Sequence, residues 1–399
     1  MIFCVSFSGI FNFFSFVDEL LLLLCFFTVL TYGFTKFFLG KISKWFVFLL
    51  LYFLLQFINF FFSPFNLNLI YVFIQSVITI KFFLAILVVY IMIYHNLINK
   101  KIIDYLWNFL LVFFFLGLIS NFIFGESWNL LFSERIRYRY GILRPVGMFG
   151  SVAVNSYFIS LIMITYLGMR QNFFKFNNIL KVTLINIILS IFLTIRKNLL
   201  MIVPLLFIYI KKLKPQYILP AILFLFIFFT SVSFFAFKIG FFNDIYAGLV
   251  SEESTYIRGL MTLKGFYLAY DFFPLGVGSG TFGTFMSNYN TLEVYDYVGI
   301  NLKFFTSSNG NLMGVYDSSI ASFLAENGIL GFLIMIFFIK NINHSFRQIL
   351  NYKMYNTYLL LISFSLLMTI SDPINQNGFF TVFFMLCLLK LYSNQLSTK

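Results

Sequence analysis

About 11 stretches of this chain stay apolar for close to 20 residues, the length a helix needs to cross the hydrocarbon of a bilayer. They lie near residues 17–35, 45–62, 70–94, 106–124, 152–169, 179–195, 198–210, 217–238, 321–340, 354–371 and 377–392. Residues 2–16 are apolar too, slightly short, and would make a twelfth. No water reaches a backbone in hydrocarbon, so each span must satisfy its peptide groups internally and is predicted to be a helix. Composition agrees: 61% of the 399 residues are hydrophobic and 10% are charged, where a soluble domain carries about 25% charged residues. The sequence predicts an all-α polytopic integral membrane protein with about 11 to 12 transmembrane helices. Its 62 Phe accompany abundant Ile, Asn and Lys, a bias of an AT-rich gene, so no single Phe is given a role.

The charges then set the topology. One alternating set of connections carries Lys36, Lys41 and Lys44, then Lys100 and Lys101, then Arg170, Lys175 and Lys181. The same side continues with Lys211, Lys212 and Lys214, then Lys340, Arg347 and Lys353, then Lys390 and Lys399, and holds Asp104 as its one acid. An excess of Lys and Arg marks the cytoplasm. The opposite side takes 63–69, 125–151, 196–197, 372–376 and one long loop. The organisation expected is N-terminal helices over 1–242, a long outer loop over 243–320 and C-terminal helices over 321–399. The C-terminus falls in the cytoplasm; a cytoplasmic N-terminus requires the twelfth helix. The N-terminus lacks a basic n-region and a small-residue cleavage signal, so it reads as a retained anchor.

Several function classes fall away. In a soluble protein the net charge of +13 would point to nucleic acid; here it reports topology. Cys4, Cys25 and Cys387 are scattered, and His95 and His344 are the only histidines, which argues against a zinc site or a disulfide framework. Gly276, Gly278 and Gly280 follow Pro274 in a loop, without the strand–turn–helix setting that a dinucleotide motif needs. No phosphate-binding GxxxxGK[ST] loop occurs, which argues against an ATP-driven pump. No cofactor and no metal are expected.

The stretch from 243 to 331 is the polar exception. It carries Asp244, Glu252, Glu253, Asp271, Glu293, Asp296, Asp317 and Glu326, out of 14 acidic residues in the chain. The outer side also carries Arg135, Arg137, Arg139, Arg144, Arg196, Lys197 and Arg258, against the charge rule. Two readings stand. Each Arg pairs with an acid of the long loop, or the set binds an anion, for which the planar guanidinium fork suits phosphate. Lys81 lies mid-way along 70–94, where a charge is costly and usually meets a polar interior or a partner. Contact with a lipid phosphate, pairing with Glu126, and snorkelling are all open for it.

Three blocks, in order, carry a resemblance. The first is Arg144, Pro145, Val146, Gly147, Met148 and Phe149, with Asn155 following. The second is Leu193, Thr194, Ile195, Arg196 and Lys197 at the end of an apolar run. The third is Arg258, then Phe273 to Gly280, then Tyr316, Asp317, Ser318 and, further on, Ala325, Glu326, Asn327, Gly328 and Ile329. Over residues 130–340 the chain resembles the O-antigen polymerase/O-antigen ligase superfamily of bacterial surface-polysaccharide assembly. It departs from it in having Ile195 where the family has Ser before Arg. It has Asp317 where ligases generally have His, a form similar to the polymerases.

The resemblance implies a GT-C-like fold in the bacterial inner membrane, with the long loop in the periplasm. It implies glycosyl transfer from undecaprenyl-pyrophosphate-linked glycan, with a chain-length regulator as a possible partner. The leaving pyrophosphate then needs positive donors, a role that falls to Arg144, Arg196 and Arg258, with Arg137, Arg139 and Lys81 in reserve. The acceptor hydroxyl needs a base: Asp317, or Glu326 in reserve, although Asp317 also suits a helix N-cap. The loop tyrosines, among them Tyr289, Tyr295 and Tyr297, suit stacking on sugars or simple loop packing. The alternatives are an O-antigen ligase acting on lipid A core, a lipid-linked oligosaccharide flippase, and a non-catalytic partner of a chain-length regulator.

Overall fold

The computed structural model describes residues 17–39, 43–132, 136, 138–139, 142–169, 176–192, 201–205, 257–302, 319–369 and 377–396. Its first half contains α1 (Val17–Phe38), α2 (Lys44–Phe62), α3 (Leu69–Thr79), α4 (Lys81–Tyr94), α5 (Lys100–Phe124) and α6 (Glu126–Phe132). A two-residue hairpin follows, β1 (Tyr138–Arg139) and β2 (Ile142–Leu143), paired antiparallel. Then come α7 (Val152–Met169), α8 (Phe176–Phe192) and α9 (Ile257–Asp271). Last are α10 (Ser287–Asn290), α11 (Glu293–Tyr297), α12 (Ser319–Ile349), α13 (Tyr352–Met368) and α14 (Gly378–Leu396).

Among the described residues 6 helices are long and apolar enough to cross a membrane: α1, α2, α5, α7, α12 and α14. The pair α3 and α4 would add a seventh as one bent span. The protein is therefore a helical, multi-pass membrane protein. Of the sequence-predicted spans, 217–238 and most of 198–210 lie outside the described residues. Two others differ from expectation. The run 70–94 is not one helix but two, broken at Ile80 with a bend of 53°. The run 321–340 belongs to a longer helix, 319–349, interrupted at Gly328.

Side-chain exposure tells the membrane-facing helices from the central ones. On α5, Val112, Phe115, Leu116, Ile119, Phe122 and Ile123 are all exposed. An apolar face that broad is unsuited to water and fits lipid. By contrast α7 is buried along most of its length, because α8, α13 and α14 pack around it. Its Phe158 meets Phe383 of α14 at 4.6 Å between ring centroids and Phe114 of α5 at 4.9 Å. Phe149 closes the cluster, 5.1 Å from Phe383. Tilted and edge-on aromatic pairs of this kind add to the burial of their area. A smaller apolar cluster, Leu260, Met261, Leu268, Val277, Phe282 and Tyr295 among its members, fastens α9 and the segment after it to α12.

Helix starts follow local sequence. Asn68, Asn99 and Asn351 precede α3, α5 and α13, and each side chain accepts from backbone amides of the first turn, satisfying donors that a helix leaves orphaned.

Candidate functional site

Among the described residues, a cluster of buried polar groups lies where α12 is interrupted. Gly328 has φ 59° and ψ −168°, so the helical ladder fails there and frees peptide groups that need partners. The segment after α9 supplies them. Val277 N–H donates to Ala325 O at 2.9 Å, and Gly278 N–H donates to Glu326 O at 3.0 Å. Leu330 N–H, which in an unbroken helix would bond Glu326 O, instead donates to Pro274 O at 3.2 Å. This exchange demands close backbone approach. A Cβ on Gly276, whose φ is +86°, would stand 2.5 Å from Gly328 N and 2.6 Å from Ala325 O. A Cβ on Gly328 would meet Pro274 O head on. Both positions need a residue without a side chain, in a backbone region that L-residues avoid.

Two residues before the break, Glu326 turns its fully buried carboxylate into the same segment. Its Oε1 accepts from Thr281 N at 2.8 Å, Phe282 N at 3.1 Å and Thr284 Oγ1 at 2.6 Å. Its Oε2 is buried and accepts no hydrogen bond. Around this cradle stand polar side chains of α2 and α3. Gln56 donates from Nε2 to Asn327 Oδ1 at 2.8 Å and accepts at Oε1 from Ser279 Oγ at 2.6 Å. Asn59 Nδ2 donates to Leu275 O at 2.9 Å, and Ser63 Oγ donates to Val277 O at 2.8 Å. Gln75 Oε1 accepts from Met286 N at 3.1 Å. From below, Tyr295 OH accepts from Gly283 N at 2.8 Å. Buried polar groups must be paired, and here the pairing fixes the path of residues 274–286.

Arg144 belongs to a second built turn, between β2 and α7. Asparagines from three helices hold its backbone. Asn121 Oδ1 accepts from Val146 N at 2.9 Å and Gly147 N at 3.0 Å. Asn129 Nδ2 donates to Arg144 O at 3.0 Å, and Asn155 Nδ2 donates to Pro145 O at 3.2 Å. Trp128 Nε1 donates to Gly147 O at 3.2 Å. Phe149, at the end of the turn, enters the aromatic cluster. The Arg144 side chain is half-buried at the edge of this frame.

The remaining predicted site residues are placed unevenly. Asp317, Arg196 and Arg137 lie outside the described residues. Arg258 is in the first turn of α9 and Arg139 in β1, but their side chains lie outside what is described. Lys81 is buried and opens α4 immediately after the break at Ile80. It follows a buried polar run, Gln75, Ser76 and Thr79, at the end of α3. The structure thus joins Glu326 to the glycine segment. It sets Arg144 on a different group of helices, α5, α6 and α7. Among the described residues no group of three or more His, Cys, Asp or Glu comes together.

The residues that sequence reasoning missed are the amides: Gln56, Asn59, Gln75, Asn121 and Asn129. Their signal was a carboxamide inside an apolar run. No protein-family model, curated protein or solved structure matches the chain. The likeness to the polymerase/ligase superfamily therefore rests on the three sequence blocks alone.

Proposed function

We propose that the protein polymerises undecaprenyl-pyrophosphate-linked oligosaccharide repeats into a surface polysaccharide, by glycosyl transfer at the outer face of a bacterial inner membrane. The observation that carries this reading is the construction of the glycine segment. The third sequence block is not a slack connection; its glycines and Glu326 lock residues 274–286 onto the interrupted end of α12. A rigid outer platform of this kind suits a reaction that must orient two lipid-linked glycans.

In this reading the acceptor hydroxyl oxygen bonds to the anomeric carbon as that carbon's bond to phosphate oxygen breaks, and negative charge grows on the leaving lipid pyrophosphate. Arg144, Arg196 and Arg258 stabilise it, with Arg137, Arg139 and Lys81 as further cations on the phosphate path. Asp317 takes the proton of the acceptor hydroxyl. Glu326 is held in reserve as a base: three donors already occupy Oε1, and its part is to position the loop. The activated donor supplies the driving force, and no nucleotide is needed.

One observation favours a transporter instead: a broken span with a buried lysine at its break, α3–Ile80–α4. Discontinuous helices with ionisable residues are common at substrate sites of transporters. A single experiment separates the readings. The gene is deleted in its native strain and the surface lipopolysaccharide is resolved on a gel. Core bearing a single repeat is the expected result, because flipping and ligation continue. Bare core points to a flippase or, if long lipid-linked chains accumulate outside, to a ligase. An unchanged ladder overturns the O-antigen assignment.

A further inference from the structure

Away from the glycine segment, where α12 runs out beyond its apolar stretch, α2, α12 and α13 border an open groove of about 720 Å³. Lys340, His344 and Arg347 line it from α12 and Lys44 from the start of α2, with Asn343 and Tyr355 completing its polar wall. The first three are spaced i, i+4 and i+7, so they fall on one helical face. The opposite face of the same turns, Phe338, Ile342 and Phe346, is buried in the core.

Among the described residues no acidic side chain lines the groove. A general excess of Lys and Arg at one membrane face sets topology, but that rule asks for no concave site. Two further observations point to an anion. Lys44 sits in the first turn of α2, where the helix dipole already disfavours a cation and favours a negative group. Asn343 Oδ1 accepts from Tyr358 OH at 2.7 Å, which leaves its amide nitrogen as a donor. The groove is also graded. Ile336 and Ile339 line it one turn toward the apolar stretch, whereas the ten residues from Lys340 to Ile349 are mostly polar. Hydrocarbon at one end and cations at the other suit an amphiphile better than a free ion.

We propose that this groove binds the phosphate headgroup of an acidic phospholipid, with Lys340, Arg347 and Lys44 on the phosphate and Ile336 and Ile339 against the glycerol and upper acyl chain. Basic pockets between helices at the polar boundary of a membrane are suited to such headgroups. The inference is independent of any glycosyl transfer, since none of these residues belongs to the outer site.

The full-length protein, purified in mild detergent, is equilibrated with equal amounts of phosphatidylglycerol and phosphatidylcholine and examined by native mass spectrometry. Retention of phosphatidylglycerol over phosphatidylcholine is expected. In the Lys340→Ala/Arg347→Ala variant that adduct should fall on the order of thirtyfold, from two lost phosphate contacts. Lys340→Arg/Arg347→Lys, which keeps the charge, should hold the lipid, so a loss caused by misfolding is told apart. Equal retention in wild type and the alanine variant overturns the site. Displacement of the lipid by millimolar inorganic phosphate, with phosphate itself retained, overturns the lipid and assigns the groove to a soluble phosphate.

Discussion

Two carboxylates in this protein are held in opposite ways. Glu326 is fully buried and bonded by neutral donors, two backbone amides and a threonine hydroxyl. Asp104 sits near the end of the bundle and is bonded by a charge, Lys390 Nζ at 2.6 Å, with side-chain exposures of 35% and 17%. Ser393 Oγ adds a long contact at 3.5 Å. The first carboxylate organises a segment some distance along the chain and has no substitute in water. The second joins two helix ends that water can also solvate. The difference teaches that in this molecule a buried acid directs the path of the backbone, and a boundary acid only ties elements already in place.

The sharpest way to break that contrast is to remove Glu326. Glu326→Ala strands three donors at a buried site, each worth about 1–3 kcal/mol when left unsatisfied. A net loss of about 3 kcal/mol or more is expected from the three stranded donors together. Thermal unfolding in detergent should show it, with new protease cleavage within 274–286. Glu326→Gln tests the chemistry separately. Its amide oxygen can replace Oε1, and its nitrogen would fall where Oε2 now lacks a partner. Glu326→Gln should therefore fold and, with Glu326 acting only to position the loop, still support long-chain polysaccharide. If it folds and chain growth stops, Glu326 carries chemistry.

The backbone half of the same cradle gives the next largest effect. Gly276→Ala and Gly328→Ala each force a Cβ into backbone atoms, at a residue of positive φ. About 2 kcal/mol or more is expected, since the left-handed region alone costs an L-residue roughly 1–2 kcal/mol. Wild-type melting of either variant would mean that the glycine segment and α12 are not joined as described.

How much of this was legible beforehand depended on range. Apolar runs near 20 residues name the membrane helices directly, and α1, α2, α5, α7 and α14 follow them closely. The breaks were written more faintly. Asn327 and Gly328 interrupt the run at 321–340, and Gln75, Ser76, Thr79 and Lys81 cluster inside 70–94. Both runs average as apolar, so a window of span length passes over them. Glu326 was recognised as important, but as a reserve base. Its partners at 281–284 lie more than 40 positions away, and no local periodicity encodes such a pairing. The asparagines of the Arg144 turn were hidden by abundance: in a chain rich in Asn, position alone tells an anchor from background.

Asn121 tests that last point at an intermediate scale. Its Oδ1 alone takes two backbone amides, so Asn121→Ala should destabilise by about 1–3 kcal/mol. Cleavage at residues 144–150 should rise in limited proteolysis, while the 274–286 segment keeps its wild-type protection. If both regions loosen together, the two built turns form one cooperative unit and their separation on different helices has no energetic meaning.

Asp104→Ala should have the smallest effect and completes the comparison. A partly exposed ion pair is worth about 0–1 kcal/mol and weakens as salt screens it. The variant is expected to melt within a few degrees of wild type at low salt and to be indistinguishable from it at 1 M salt. Glu326→Ala should show the same deficit at both ionic strengths, because salt does not reach a carboxylate bonded inside the protein. A salt-independent loss at Asp104 as large as that at Glu326 would make the α5–α14 tie a second structural centre. It would also end the division between an acid that shapes the fold and one that fastens it.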